Sequence, residues 1–249
     1  MARGPEQFLD RAASDAVAAF ARVGRVASPS PMRIYAIGDV HGCADLLAAL
    51  LAAIAAAHPA DHALRAIFIG DLVDRGPDSA KTVAMVRALQ EATSTVVCLR
   101  GNHEQMMIDW ARKGDGLWLV NGGLETIESF SGIGDESGQA MAEAIEWMER
   151  LPTWREDAGR IYVHAGLRPA APYDRQSDHD RLWIREDFLE VDHDFGKHVI
   201  HGHTPRLDGP ERRPFRTNID TGAVYGGALT AAVLDETSPA PLDFLRIPA

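Results

Sequence analysis

Cysteine is almost absent: two thiols, Cys43 and Cys98, serve 249 residues. Two cysteines so placed make neither a disulfide framework nor a thiolate metal site, and a reduced, cytoplasmic setting is expected. Positive charge is short as well. There are 36 Asp and Glu against 25 Lys and Arg, a formal net charge of −11. A chain-wide attraction to nucleic acid or to an anionic membrane is thereby disfavoured. Any anionic substrate needs a local cationic site that works against the overall field. Long apolar runs are also missing. The longest, LLAALLAAIAAA at 46–57, falls short of the ~20 residues that span a bilayer. The N-terminal stretch carries Glu6, Asp10 and Asp15 and no apolar core, so no secretory signal is expected.

What is present suits one globular domain, with 46% hydrophobic residues in 249. Phe8, Ala12, Ala16 and Phe20 recur every four residues, beside Leu9, Ala13 and Val17. That spacing predicts an amphipathic helix within 1–27, ended by SPSP at 28–31. Residues 1–31 are therefore expected to be a helical appendage and linker, and 32–249 the main domain. From Met32, strand-like RIYAIG, RAIFIG and TVVCLR alternate with helix-like CADLLAALLAAIAAA and DSAKTVAMVRALQEA. This alternation predicts an α/β core with parallel pairing. Residues 104–150 look helical, with a glycine-rich break at 132–138. After Arg160 the strands RIYVHAG, HVIHGH, FRTNID, ALTAAVL and LDFLRI crowd together. A second, partly antiparallel sheet is expected there.

The chemistry-bearing residues sit at strand ends. The first strand ends in GDVHG (Asp39, His41), the second in GDLVDRG (Asp71, Asp74, Arg75) and the third in RGNHE (Arg100, Asn102, His103, Glu104). Later strands end in VHAG (His164) and IHGHT (His201, His203). Sites in open α/β sheets form outside the carboxyl ends of strands, so five such ends describe one pocket. Carboxylates, imidazoles and an amide, without thiolate, suit Mn²⁺, iron or Zn²⁺. The ligands are too many for one tetrahedral ion and fit two ions sharing a carboxylate, typically ~3.5–4 Å apart. Two divalent ions against Asp39 and Asp71 leave a local surplus of about +2, to which Arg75 adds. A phosphate group complements that surplus, and a metal-bridging hydroxide is the available nucleophile.

The ordered set GDVHG, GDLVDRGPDS, RGNHEQMMID, VHAG, LWIRE, HGHTP and NIDTGA, within residues 33–234, resembles the calcineurin-like metallophosphoesterases. More narrowly it is similar to the phosphoprotein phosphatase branch of the bacterial and phage-lambda type. The resemblance implies a two-sheet β-sandwich flanked by helices, the four-layer form of that family. It implies one metal on Asp39, His41 and Asp71, and a second on Asp71, Asn102, His164 and His203, with manganese favoured. His103 becomes the general acid, with Asp74 orienting it and favouring its charged form. Arg75 and Arg185 clamp the phosphate oxygens. Where many phosphodiesterase relatives have GHxH, this chain has His203-Thr204-Pro205, which points to phosphomonoesters. The implied activity is serine/threonine or dual-specificity protein phosphatase, acting on a phosphorylated protein, a peptide or a small phosphoester. A hydrolase of diadenosine tetraphosphate is the alternative enzyme, with Trp118, Trp147, Trp154 or Tyr173 as a stacking platform. An inactive scaffold on the same fold is the other alternative. His201 is expected to be a core or outer residue rather than a ligand.

Overall fold

The computed structural model describes residues 5–23, 31–134 and 138–249. Its helices are α1 (Arg11–Val23), α2 (Ala44–Ala57), α3 (Ser79–Ala92), α4 (Asn102–Lys113), α5 (Gly123–Gly132), α6 (Gln139–Glu149), α7 (Asp178–Trp183) and α8 (Glu186–Leu189). The strands are β1 (Met32–Ile37), β2 (Ala63–Phe68), β3 (Val96–Cys98), β4 (Trp154–Glu156), β5 (Arg160–Val163), β6 (His198–His201), β7 (Glu211–Arg212), β8 (Arg216–Asn218), β9 (Ala228–Asp235) and β10 (Asp243–Pro248). They form two five-stranded sheets, in the orders β10-β9-β1-β2-β3 and β4-β5-β6-β8-β7.

Strand periodicity explains the layers. Successive side chains alternate faces, so a strand buried on both sides must be apolar throughout. In β1, Ile34 and Ala36 join Ile67, Leu99, Tyr162, Ile200 and Ile219 in a core between the sheets. Tyr35 and Ile37 point the other way, into a larger core with Phe68, Leu47, Leu50, Leu51 and Ile54. Beyond the second sheet, Ile161, Val163 and Val199 pack with Ile184, Phe188 and Leu189 of the α7–α8 region. The result is helices, sheet, sheet, helices: the expected sandwich.

Two details differ from the sequence reading. ALTAAVL and LDFLRI do not join the second sheet. Strand β9 pairs antiparallel with β1, and β10 with β9, in the first sheet. Ala232 and Leu234 of β9 enter the inter-sheet core while Leu229 and Ala231 enter the helix-covered one. Such a strand needs cover on both faces, and the place beside β1 supplies it. The second sheet instead has a parallel centre, β5-β6-β8, between antiparallel edges β4 and β7. These edges are three and two residues long, too short for a periodic signal.

Near the N-terminus a 3₁₀ turn (Pro5–Phe8) precedes α1. Helix α1 buries Ala13, Ala16, Val17 and Phe20 in the helix-side core. The expected break at 28–31 lies outside the described residues except for Pro31.

Candidate metal centre and active site

Both sheets bring their strand ends to one place, and the backbone there is bent hard. Among the described residues, the non-glycine positions with left-handed φ are His41 (46°), Asp71 (53°), Asp74 (75°), Arg75 (71°) and His203 (67°). Every one was picked out in the sequence as a site residue. Side chains other than glycine resist this conformation, so its concentration here marks a functional site. The bends are tied down. The Val40 and His41 N–H groups donate to the Asp71 carbonyl at 3.0 and 2.9 Å. Gly70 lets the β2 and β3 turns meet: at its φ of 101°, a Cβ would lie 2.5 Å from the Gly101 nitrogen.

Ligand-type atoms converge on Asp71. His41 Nδ1 donates to the Val73 carbonyl at 2.8 Å, which leaves Nε2 with its lone pair, 3.5 Å from Asp71 Oδ2. His164 Nδ1 likewise donates to the Ile69 carbonyl at 3.0 Å, and its Nε2 lies 3.3 Å from Asp71 Oδ2. Asn102 Oδ1, His164 Nε2 and His203 Nδ1 form a triangle with edges of 2.9, 3.2 and 2.9 Å. Two groups of mutually close ligand atoms result: His41, Asp71 and His103, and Asp71, His164 and His203. Asp71 belongs to both.

This donor set fits divalent metal. Ligands ~2.1 Å from one ion and at right angles sit about 3 Å apart, the spacing seen here. His203 Nε2 is buried with no hydrogen-bond partner among the described residues, while its Nδ1 faces Asn102 Oδ1 and His164 Nε2. Charge points the same way. Burial, then the nearby Asp220 charge, pushes the Asp39 carboxyl well above its ordinary value. Burial, with help from the Asp71 charge, lifts Asp220 to about 6. Burial lowers His41 to about 3 and His203 to about 2. His164 is the exception: burial opposes its protonation, yet the Asp71 charge lifts it to about 9. Buried carboxylates and imidazoles this close share protons among themselves, and a bound cation would relieve the repulsion between the carboxylates.

Asp39 is buried beside these groups. Its Oδ2 accepts the His203 backbone N–H at 3.1 Å, so it also braces the turn that carries another candidate ligand. The close group around His41 and Asp71 includes His103.

His103 and Asp74 are paired, at 2.7 Å between Nδ1 and Oδ2, with both side chains buried. The His103 ring meets that of His41 edge-on, centroids 4.7 Å apart. Arg75 Nη1 donates to His41 Nε2 at 2.7 Å, and its guanidinium lies over the Tyr225 ring, 5.7 Å from the centroid. Arg185 is exposed at the start of α8. Its charge helps lower His203, and it forms no ion pair among the described residues.

Other candidates are drawn elsewhere. Arg100 donates to Gln105 Oε1 and to the Glu149 and Leu151 carbonyls, tying α4 to the end of α6. His201 faces the Gly202 carbonyl, Arg216 and the Phe188 ring. The left-handed turn at His203 breaks the strand parity that would have put both histidines on one side. Trp118 and Trp147 are buried in the core. Trp154 lies under Arg181 and Tyr173 under Lys197, so each of these two rings has one face taken by a cation.

Sequence reasoning named Glu104 and Trp118 without these supporting roles, and missed Thr126. Glu104, fully buried, accepts the Asp71, Leu72 and Gly101 N–H groups at 2.9, 2.7 and 2.7 Å. Trp118 and Thr126 donate to Asp74. Glu104 stands inside the GNHE string, which was the available signal; Thr126 had none.

A four-layer α/β sandwich with a shared-carboxylate metal set at its strand ends defines a class of metal-dependent hydrolases. The family model for calcineurin-like phosphoesterases matches residues 32–226, and the chain belongs to that family. It is 35% identical over 222 residues to serine/threonine-protein phosphatase 1 of Salmonella typhimurium, covering 84% of this chain and 94% of that one. It is 32% identical over 225 residues to a bis(5'-nucleosyl)-tetraphosphatase (asymmetrical) of Geobacillus sp., covering 80% and 89%. A protein serine/threonine phosphatase structure from Saccharomyces cerevisiae shares the fold, with a TM-score of 0.64 at 16% identity over 95% of this chain and 87% of that one. Phosphoester hydrolysis is thus the activity of the chain's class. No helix among the described residues is long and apolar enough to cross a membrane.

Proposed function

We propose that the protein is a metal-dependent phosphomonoesterase acting on phosphoserine or phosphothreonine in proteins. The carrying observation is the buried Asp74–His103 pair, 2.7 Å apart, set against the ligand groups that share Asp71. In this reading Asp39, His41 and Asp71 would hold one divalent ion, and Asp71, Asn102, His164 and His203 a second. Manganese is the proposed metal, with iron or Zn²⁺ as alternatives. When bound, such ions supply a water acidified enough to attack and positive charge for the phosphoryl oxygens. The chain's own residues do the rest. Arg75 and Arg185 receive the phosphate oxygens through their planar donors. Water adds to phosphorus, and the bond from phosphorus to the ester oxygen breaks, with the electron pair leaving on that oxygen. His103 Nε2 gives it a proton, and the ring is reprotonated from solvent. Asp74 holds the opposite ring nitrogen, so the proton leaves from the side that faces substrate. The net change is phosphomonoester plus water to alcohol plus phosphate.

Three observations support a protein substrate over a dinucleotide. The strings GDLVDRG, GNHEQMMID and LWIRE are each continuous. The four rings weighed as stacking platforms are buried or have one face taken by a cation. The 35% identity to a serine/threonine phosphatase extends over 94% of that chain. The dinucleotide reading keeps one specific support, the 32% identity to a tetraphosphatase. The unpaired thiols of Cys43 and Cys98 suit a reducing cytoplasm. Chelator-stripped protein with added Mn²⁺ should hydrolyse an aryl phosphate and a phosphoserine peptide, with little action on diadenosine tetraphosphate. Turnover of the dinucleotide alone would replace the substrate proposed here.

A further inference from the structure

Asp74 is held from a direction that an acid–carboxylate pair does not require. Its side chain is fully buried. Trp118 Nε1–H, 44 residues on, straddles both carboxylate oxygens at 2.9 and 3.0 Å. Thr126 Oγ1, 52 residues on, donates to Oδ1 at 2.7 Å and accepts the Asp74 backbone N–H at 2.9 Å. Oδ1 is taken by Thr126, and Oδ2 meets His103 Nδ1 at 2.7 Å beside the Trp118 indole. The carboxylate is thereby fixed about its own axis, and the imidazole is fixed with it. The fit of this segment is close. Gly122 has φ 105°, and a Cβ there would lie 2.7 Å from the Arg75 nitrogen. A Cβ on Gly123 would lie 2.5 Å from the Trp118 indole. The glycine pair lets residues 118–126 close against Asp74 and Arg75 together.

We propose that Trp118 and Thr126 are positioning residues for the proton transfer: they lock Asp74 so that His103 presents its free nitrogen to the leaving oxygen. This rests on the reading of His103 as the acid. A buried indole N–H usually finds some acceptor; here two donors from one segment converge on the single carboxylate that aims the acid. General acids contribute ~10²–10⁴ in rate, and small misplacements of such groups cost up to ~10². That contribution is confined to leaving groups that need a proton.

The test is a leaving-group series, from 2,4-dinitrophenyl phosphate through phenyl phosphate to an alkyl phosphate. It is run on Trp118→Phe, Thr126→Val, Thr126→Ser and His103→Asn, each with metal content measured. Thr126→Val and Trp118→Phe should lose ~10–100-fold in kcat on phenyl and alkyl phosphate and only ~3-fold or less on the dinitrophenyl ester. Thr126→Ser, which keeps the hydroxyl, should recover most of the loss. In a His103→Asn background the Thr126→Val step should add little. A loss equal across all leaving groups, or none on the alkyl ester, overturns the proposal. If His103→Asn itself shows no leaving-group dependence, the acid assignment falls first and the positioning role with it. Thr126→Val is nearly isosteric, so it carries the test even if Trp118→Phe folds poorly.

Discussion

Glu104→Gln should damage the metal centre without replacing any proposed ligand. The Glu104 carboxylate is fully buried. Oε2 accepts the N–H groups of Asp71 and Gly101, and Oε1 that of Leu72. Asp71 sits in a left-handed turn at φ 53°, and Gly101 precedes Asn102, so these three bonds hold two ligand-bearing turns in register. A glutamine keeps one oxygen. Placed at the Oε2 position, that oxygen saves two bonds and turns an NH₂ group on the Leu72 N–H. One charge-assisted bond is lost, ~1.5–3 kcal/mol, and a buried donor is left unpaired, ~1–3 kcal/mol. Burial and the Asp71 charge raise the Glu104 carboxyl pKa, so removing the charge relieves repulsion and offsets part of this. A net cost of ~2–4 kcal/mol corresponds to ~5–15 °C in Tm for a chain this size. Thermal unfolding of chelator-stripped protein measures the first effect, and elemental analysis after metal loading the second. A Tm within 1 °C or so of the parent, with full metal occupancy, would refute the reasoning.

Asn102→Ala and His164→Ala should each cost one of two bound ions and nearly all turnover; a variant that keeps two ions contradicts the ligand assignment. Arg185→Ala should raise KM for phosphoesters ~10-fold or more, the scale of a charged hydrogen bond, and unaltered KM and kcat would remove Arg185 from the phosphate site. His198 is pushed down to about 4, by burial first and then by the Arg160 charge. A depressed folded value means the unfolded chain binds the extra proton, so this stability is present above the unfolded value near 6.5 and is lost as pH falls towards 4. His198→Gln, assayed as chelator-stripped protein, should lose less urea resistance than the parent between pH 7 and pH 5; an equal loss would show that His198 does not titrate there.

The site was legible in the sequence because its turns are local. Asp39, His41, Asp71, Asp74, Asn102 and His103 each lie within a few residues of a strand end, and a glycine marks each turn. Such a string can be read without knowing the fold. The topology was legible only where elements alternate: β1, β2 and β3 follow from strand, helix, strand. For β9 the string ALTAAVL states an apolar strand but not its neighbour, and pairing with β1 spans about two hundred residues of chain. No local pattern carries that information.

The same distinction separates the two kinds of catalytic support. Glu104 follows His103 directly and reaches back to the Asp71 turn across 33 residues; its neighbourhood hints at its role. Thr126 is an ordinary helix residue in sequence, and only the folded chain brings its hydroxyl to Oδ1 of Asp74. The strand-end strings therefore carry the groups proposed to touch metal and phosphate, but not those proposed to aim them. Residues 117–124 hold Trp118 inward against Asp74, yet leave Leu117, Val120 and Leu124 47%, 82% and 61% exposed. The proposed positioning role constrains the inward face of the segment and leaves these three exposed positions free to vary.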